Sequence, residues 1–231
     1  MNKVIEVNNL SYKYPNGYTA LNDINLNIYE NESVAIIGSN GAGKSTFLLS
    51  LTGVLDIVGK INILRIPLNN KKNINEIRKR IGFVFQDPDY QLFMPTIYDD
   101  IAFGPLNLNY PKDEIKIRVE ESLKQTNLTS KKDFSSYHLS FGEQKRAAIA
   151  TILSMKPEIM LLDEPTANLD RKNEISLLNF IKSIKATKLI ATHSLKVAEF
   201  LCDRIVIFDE GKIINDIPIE KIDQIRENFE L

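Results

Sequence analysis

The chain has 231 residues, 43% hydrophobic and 26% charged, the balance of a soluble globular domain with room for one core and an insertion. Its formal net charge of −1 excludes a general pull toward nucleic acid or anionic lipid, and a single cysteine, Cys202, excludes an internal disulfide and suits a reducing compartment. No apolar stretch reaches the ~18 residues a membrane span needs, so any membrane connection is expected through a partner, and no signal peptide is expected because Met1–Lys3 runs straight into a strand-like pattern.

The chain opens as a β-hairpin or meander. Lys3–Val7 alternates, Asn16-Gly17 supplies a turn, and Leu21, Ile24, Leu26 and Ile28 resume the alternation. Tyr12 and Tyr14 flank Lys13 and so share one strand face. Tyr12 suits a half-buried edge position, whereas Tyr14, beside Pro15, can offer its ring to a flat ligand such as adenine.

Ser33–Ile37 is a short β-branched run that predicts a buried strand, and Phe47, Leu48, Leu51 and Leu55 predict a helix. Between them lie Gly38, Ser39, Asn40, Gly41, Ala42, Gly43, Lys44, Ser45 and Thr46, which match the pattern G-x-x-x-x-G-K-[ST]. The glycines let successive N–H groups curl inward around an oxyanion, and the helix adds its positive end. Lys44 then reaches the β- and γ-phosphates and Ser45 ligates Mg²⁺. A glycine-rich turn with no ligand is the bland alternative, which the strand and helix on either side argue against.

Lys60–Leu64 predicts another strand and Asn69–Asn75 a polar loop. Ile81–Phe85 predicts a short buried strand ending at Gln86. Asp87–Phe93 is a loop carrying Tyr90, Leu92 and Phe93, apolar residues that either touch a partner or pack beneath a helix. Pro111–Asn127 predicts a helix through Ile115, Val119 and Leu123. The span from Gln86 to Tyr137 therefore has the character of a helical insertion in an α/β core, and with the next helix it covers about residues 87–155.

Ser140-Phe141-Gly142-Glu143 opens that next helix, which runs to Met155. Ser-x-x-Glu is a capping box and explains both residues by itself. Gly142 adds a second signal, because a poor helix former in a first turn suits close approach to bare N–H groups. Glu158–Leu162 predicts a buried strand that delivers Asp163 and Glu164 to its carboxyl end, where open α/β sheets bind ligands. Two adjacent acids there can divide the work, one serving Mg²⁺ and the other orienting water. Thr166–Asp170 connects to a helix over Asn173–Ile184. Lys188–Thr192 predicts a strand ending at His193, which either caps the following helix or joins the site. His138 is expected at the surface and Cys202 in the core. Arg204–Phe208 and Lys212–Ile214 form a hairpin around Glu210-Gly211, followed by a short amphipathic tail.

Taken together and in this order, the motifs resemble those of the ATP-binding-cassette ATPases along essentially the full length. The resemblance implies a P-loop core with a mixed sheet, an N-terminal antiparallel β subdomain and an inserted α-helical subdomain. It implies that ATP and Mg²⁺ are the cofactors, and that Tyr14 stacks on adenine. Glu164, His193, Gln86 and Lys44 take catalytic roles, and Ser45, Gln86 and Asp163 serve the metal. Leu139–Glu143 resembles the family signature and Asn168–Asp170 its interface loop. Ser140, Gly142 and Asp170 are thereby implied to face the nucleotide of a second ATPase subunit, identical or sibling.

Phe85–Phe93 followed by Asp100–Pro105 is similar to the energy-coupling-factor importers, most of all the cobalt and nickel members. This narrower likeness implies a transmembrane coupling subunit, a substrate-capture subunit, a position on the cytoplasmic face of the membrane and no nucleic-acid partner. Vitamin uptake through the same architecture stays open, as does a soluble cassette of iron–sulfur assembly. A GTPase is disfavoured because no Asn-Lys-x-Asp word occurs. The signature departs from the family pattern at Phe141, where a glycine is usual, and at Glu143, where a glutamine is usual. The expected effect is tuning of turnover.

Overall fold

The computed structural model describes residues 2–223. β1 (Lys3–Lys13) and β2 (Thr19–Tyr29) form the expected hairpin, and with β4 (Val58–Ile63) and β5 (Ile66–Pro67) they make an antiparallel sheet in the order β2-β1-β4-β5. The second sheet contains β3 (Ser33–Ile37), β6 (Ile81–Val84), β7 (Ile159–Asp163), β8 (Thr187–Thr192), β9 (Arg204–Asp209) and β10 (Lys212–Pro218), in the order β10-β9-β3-β8-β7-β6. It is parallel except at β10, which returns antiparallel to β9. Strands β3, β7 and β8 are buried along their whole length, as continuous apolar runs require when both faces of a parallel sheet are covered.

Register fixes where the site lies. Ile37 pairs with Thr192 across β3 and β8, and Asp163 pairs with Ala191 across β7 and β8. Gly38, Glu164 and His193 therefore leave the sheet side by side at its carboxyl edge.

One face of the parallel sheet packs on the antiparallel sheet through Ile5, Leu10, Leu21, Phe47 and Phe208. The other face is covered by α5 (Phe141–Leu153), α6 (Arg171–Ser183) and α7 (Leu195–Leu201), with Cys202 buried among them as expected. The segment between β6 and β7 contains no strand. It holds α3 (Ile97–Asn107) and α4 (Lys112–Gln125) around a separate core that includes Ile101, Ile115, Val119 and Leu123. Helix α5 serves both cores: Ala147 and Ala150 face the insertion, whereas Ala148, Ile149 and Ile152 face the sheet. Among the described residues no helix is long and apolar enough to cross a membrane.

Four local differences from the sequence reading stand out. The polar loop over Asn69–Asn75 is largely helix, α2 (Lys71–Arg78): Asn70 Oδ1 accepts the Asn73 N–H at 3.0 Å as an N-cap, and Ile77 is fully buried. The helix after the glycine-rich loop, α1 (Lys44–Ser50), ends before Leu55, because the chain turns through Gly53 at φ +68. Helix α3, which local periodicity did not mark out, starts at the Thr96 cap and carries Pro105 inside it. Strand β10 runs past Ile214 to Pro218, and the end of the expected amphipathic tail, residues 224–231, lies outside the described residues.

Candidate nucleotide-binding and hydrolysis site

The glycine-rich loop joins β3 to α1 as its flanks predict. At Gly43 the backbone has φ +102, and a Cβ would lie 2.5 Å from the Ala20 carbonyl oxygen, so no other residue fits. The β9–β10 turn braces the loop from below. Gly211 N–H donates to Ala42 O at 3.1 Å, and Asn22 N–H donates to Gly211 O at 2.8 Å. Lys44 is buried, with its ammonium donating to Gly38 O at 2.7 Å and to Ser39 O at 3.0 Å. Burial lowers its pKa, against the opposing pull of Glu164 and Asp163.

Strand β7 delivers Asp163 and Glu164 as expected, both more than nine-tenths buried. Asp163 Oδ1 has no hydrogen-bond partner, and the Ser45 hydroxyl bonds the same carboxylate. Desolvation raises the Asp163 pKa. A buried acceptor left open beside a serine hydroxyl is a fitting environment for a hard cation. Among the described residues no three His, Cys, Asp or Glu side chains converge on one point. Mg²⁺ does not require such a cage when phosphate oxygens and water complete its shell.

Glu164 has φ +42, a left-handed conformation that costs a non-glycine residue roughly 1–3 kcal/mol. Its own N–H holds Ala191 O at 2.9 Å, and the turn brings its carboxylate over the end of β8. There Oε1 lies 2.9 Å from His193 Nδ1, and Oε2 accepts the Thr192 hydroxyl at 3.2 Å. The helix that follows is capped by Ser194, not by His193, which leaves His193 to the site.

Tyr14, Lys44, Ser45, Gln86, Glu164 and His193 wall a cleft of about 700 Å³, while Asp163 lines an adjoining cavity that shares Gln86 with it. The Tyr14 hydroxyl is 3.0 Å from Thr46 Oγ1 and its ring stands edge-on to Tyr12 at 4.9 Å. Sequence inspection missed Tyr18, which also lines the cleft. Its ring lies near-parallel to Tyr14, at 6.4 Å and 21°, and its hydroxyl donates to Gly41 O at 2.9 Å. The signal available was an aromatic residue just beyond the Asn16-Gly17 turn. Thr192 was read only as a strand residue.

Ser140, Gly142 and Asp170 do not reach this cleft. They stand together at the starts of α5 and α6. The Ser140–Glu143 capping box is formed, and Asp170 Oδ1 caps α6 through the Lys172 and Asn173 N–H groups at 3.0 Å. A Cβ on Gly142 would press on Asn173 at 3.2 Å. The Ser140 N–H, donating to Glu143 Oε2 at 2.8 Å, holds that carboxyl below its ordinary pKa. Beyond Gln86, Tyr90 and Phe93 are 77% and 62% exposed, and they border an apolar groove of about 500 Å³ with Phe83, Phe85 and Phe103. His138 is at the surface.

A phosphate loop, paired acids and a switch-like histidine at one sheet edge define a P-loop nucleotide hydrolase. The family model described as ABC transporter matches residues 21–167, and the chain belongs to that family as an ATP-hydrolysing cassette that uses ATP with Mg²⁺. More narrowly, it is similar to the energy-coupling factor transporter ATP-binding protein EcfA of Carboxydothermus hydrogenoformans, 43% identical over 93% of this chain and 80% of that protein. Among solved structures it is similar to CbiO1 of Clostridium perfringens, described as part of the ABC transporter complex CbiONQ. That match has a TM-score of 0.88 and 38% identity, covering 99% of this chain and 93% of the other. It is also similar to a cassette solved as a dimer in a post-hydrolysis state with ADP and Pi, with a TM-score of 0.84 and 30% identity over 93% and 98% of the two chains.

Proposed function

We propose that the chain is the ATPase of an energy-coupling-factor importer that drives uptake of cobalt or nickel ions. On this account it works as one cassette domain with a helical subdomain over about residues 87–155. It is held at the cytoplasmic face of the membrane by a transmembrane coupling subunit beside a substrate-capture subunit. The observation that carries the membrane assignment is the Tyr90–Phe93 loop, whose aromatic rings stand in solvent directly after Gln86. Exposed aromatics beside an apolar groove mark a contact surface. The metal cargo rests on the wording of Phe85–Phe93 and Asp100–Pro105, which is similar to that of the cobalt and nickel importers.

Each copy supplies half of two composite sites. Lys44 and the N–H groups of Gly38–Thr46 hold the phosphates while Tyr14 stacks on the base. Ser45, Asp163 and Gln86 would hold Mg²⁺, which when bound neutralises charge on the γ-phosphoryl group. Glu164 takes the proton of the attacking water, and His193 keeps that carboxylate and the γ-phosphate in register. Ser140, Gly142 and Asp170 serve the nucleotide on a second ATPase subunit, identical or sibling. ATP favours the closed pair because only its γ-phosphate touches both sides.

The test is uptake in cells that express the chain with its membrane partners, using cobalt, nickel and a vitamin as separate cargoes. Metal uptake that is lost with Glu164→Gln supports the proposal. Uptake of a vitamin alone overturns the cargo. Failure of the chain to co-purify with any integral membrane protein overturns the transporter assignment in favour of a soluble cassette.

A further inference from the structure

Lys145 is a buried cation with no role in the mechanism above. It lies one turn into α5, 1% exposed, and is among the largest fully buried side chains. Its ammonium donates to two main-chain carbonyls, Gln86 O at 2.6 Å and Glu164 O at 3.1 Å. The Phe141 ring stands 5.5 Å from the same ammonium. Burial brings the Lys145 pKa down to about 8, against the fields of Asp87, Glu164 and Asp163.

An apolar side chain of this length would fill the same space without the desolvation penalty of a buried ammonium. The two acceptors that meet the ammonium are not arbitrary. Gln86 O belongs to the residue at which the chain leaves β6 for the helical insertion. Glu164 O belongs to the residue held at φ +42, whose carboxylate meets His193. The same helix begins with Ser140 and Gly142, which this chain cannot bring to its own cleft.

We propose that Lys145 is a positioning residue, pinning the backbones of Gln86 and Glu164 to α5 so that movement of the signature end of that helix is felt at the catalytic carboxylate. This role rests on the assignment of Glu164 as the base. Lys145 does not touch nucleotide. It acts on the angle at which Glu164 presents its oxygens, and a misplacement of about 1 Å at such a group costs up to about a hundredfold in rate.

The experiment compares Lys145→Met, which keeps length and removes all donors, with Lys145→Arg, which keeps donors, in the complex with its membrane partners. Steady-state ATP hydrolysis gives kcat and KM, calorimetry gives the affinity for ADP, and thermal melting reports folding. The expected result is a fall in kcat of about tenfold to a hundredfold for Lys145→Met, ADP affinity within about twofold of wild type, and partial recovery in Lys145→Arg. Combined with Glu164→Gln, Lys145→Met is expected to add less than about twofold to the loss in single-turnover rate, as for residues that act as a unit.

A Lys145→Met kcat within twofold of wild type overturns the proposal, as does a full multiplicative loss in the double variant. If Lys145→Met fails to melt cooperatively, Lys145→Gln is judged by the same kcat and ADP criteria. Normal turnover in Glu164→Gln beside reduced turnover in Lys145→Met overturns the base assignment and supports positioning through Gln86.

Discussion

His193 Nδ1 and Glu164 Oε1 stand 2.9 Å apart, joining the ends of β8 and β7. The two side chains differ sharply in exposure, 58% for the histidine and 10% for the glutamate. The buried partner is held by the Thr192 hydroxyl and by its own N–H on Ala191 O, so the imidazole is the member of the pair that faces solvent.

Glu164→Gln is accordingly expected to bind ATP as wild type does and to lose turnover by about two to four orders of magnitude. His193→Ala should retain Glu164 in place and lose less. Filter binding of ATP beside a phosphate-release assay measures both, and wild-type turnover in Glu164→Gln would contradict the assignment of the base.

At the base-binding end, Tyr14→Ala should weaken ADP binding by about 1–3 kcal/mol, the range for one aromatic stacking contact. Tyr14→Phe removes only the hydroxyl contact with Thr46 and should cost about 1 kcal/mol or less. Tyr18→Ala frees Gly41 O and opens one wall, with an intermediate loss expected. Calorimetric titration with ADP orders the three variants, and a Tyr14→Ala affinity equal to wild type would remove the stacking role.

Removal of Mg²⁺ by a chelator should abolish hydrolysis while nucleotide still binds through Lys44 and the loop N–H groups. Asp163→Asn should raise the Mg²⁺ concentration required for half-maximal rate. It should do so without destabilising the fold, because the carboxylate oxygen it replaces has no protein partner. A magnesium titration of ATPase activity decides this.

Glu143 gives a pH prediction with a definite sign. Its folded pKa lies below the ordinary value because of the Ser140 N–H, so its contribution to stability is complete above the unfolded pKa, about 4. That contribution disappears as pH falls through the lower folded value. Glu143→Gln keeps the capping geometry but not the charge, and should be less stable by about 0.5 kcal/mol at pH 7, a modest figure because the side chain is 34% exposed. Urea unfolding at pH 7 and in acid should show the gap between wild type and variant closing on acidification. A gap that widens would contradict the capping account.

Much of the fold was legible in the chain because apolar runs and their end residues coincide. Ser33–Ile37, Glu158–Leu162 and Lys188–Thr192 each read as a strand, and each ends at a residue of the site. Helix α2 was obscured by asparagines, whose usual preference for loops was overridden by the Asn70 cap and the burial of Ile77. The Glu164–His193 pair depends on the register of β7 against β8, and no local pattern carries that information. Lys145 was hidden for a similar reason. Only the two-sided packing of α5 shows that a lysine in a polar-looking turn lies inside the molecule.

The distance between the cleft and the Ser140–Gly142–Asp170 cluster has a consequence for genetics. On the proposed function, Lys44 would act on the nucleotide its own chain holds, whereas Gly142 would act on the one held by its companion. In a homodimer, pairing a Lys44→Ala copy with a Gly142→Asp copy would put both lesions in one cavity and leave the other whole. Two inactive alleles mixed in one cell are then expected to restore part of the transport that neither supports alone.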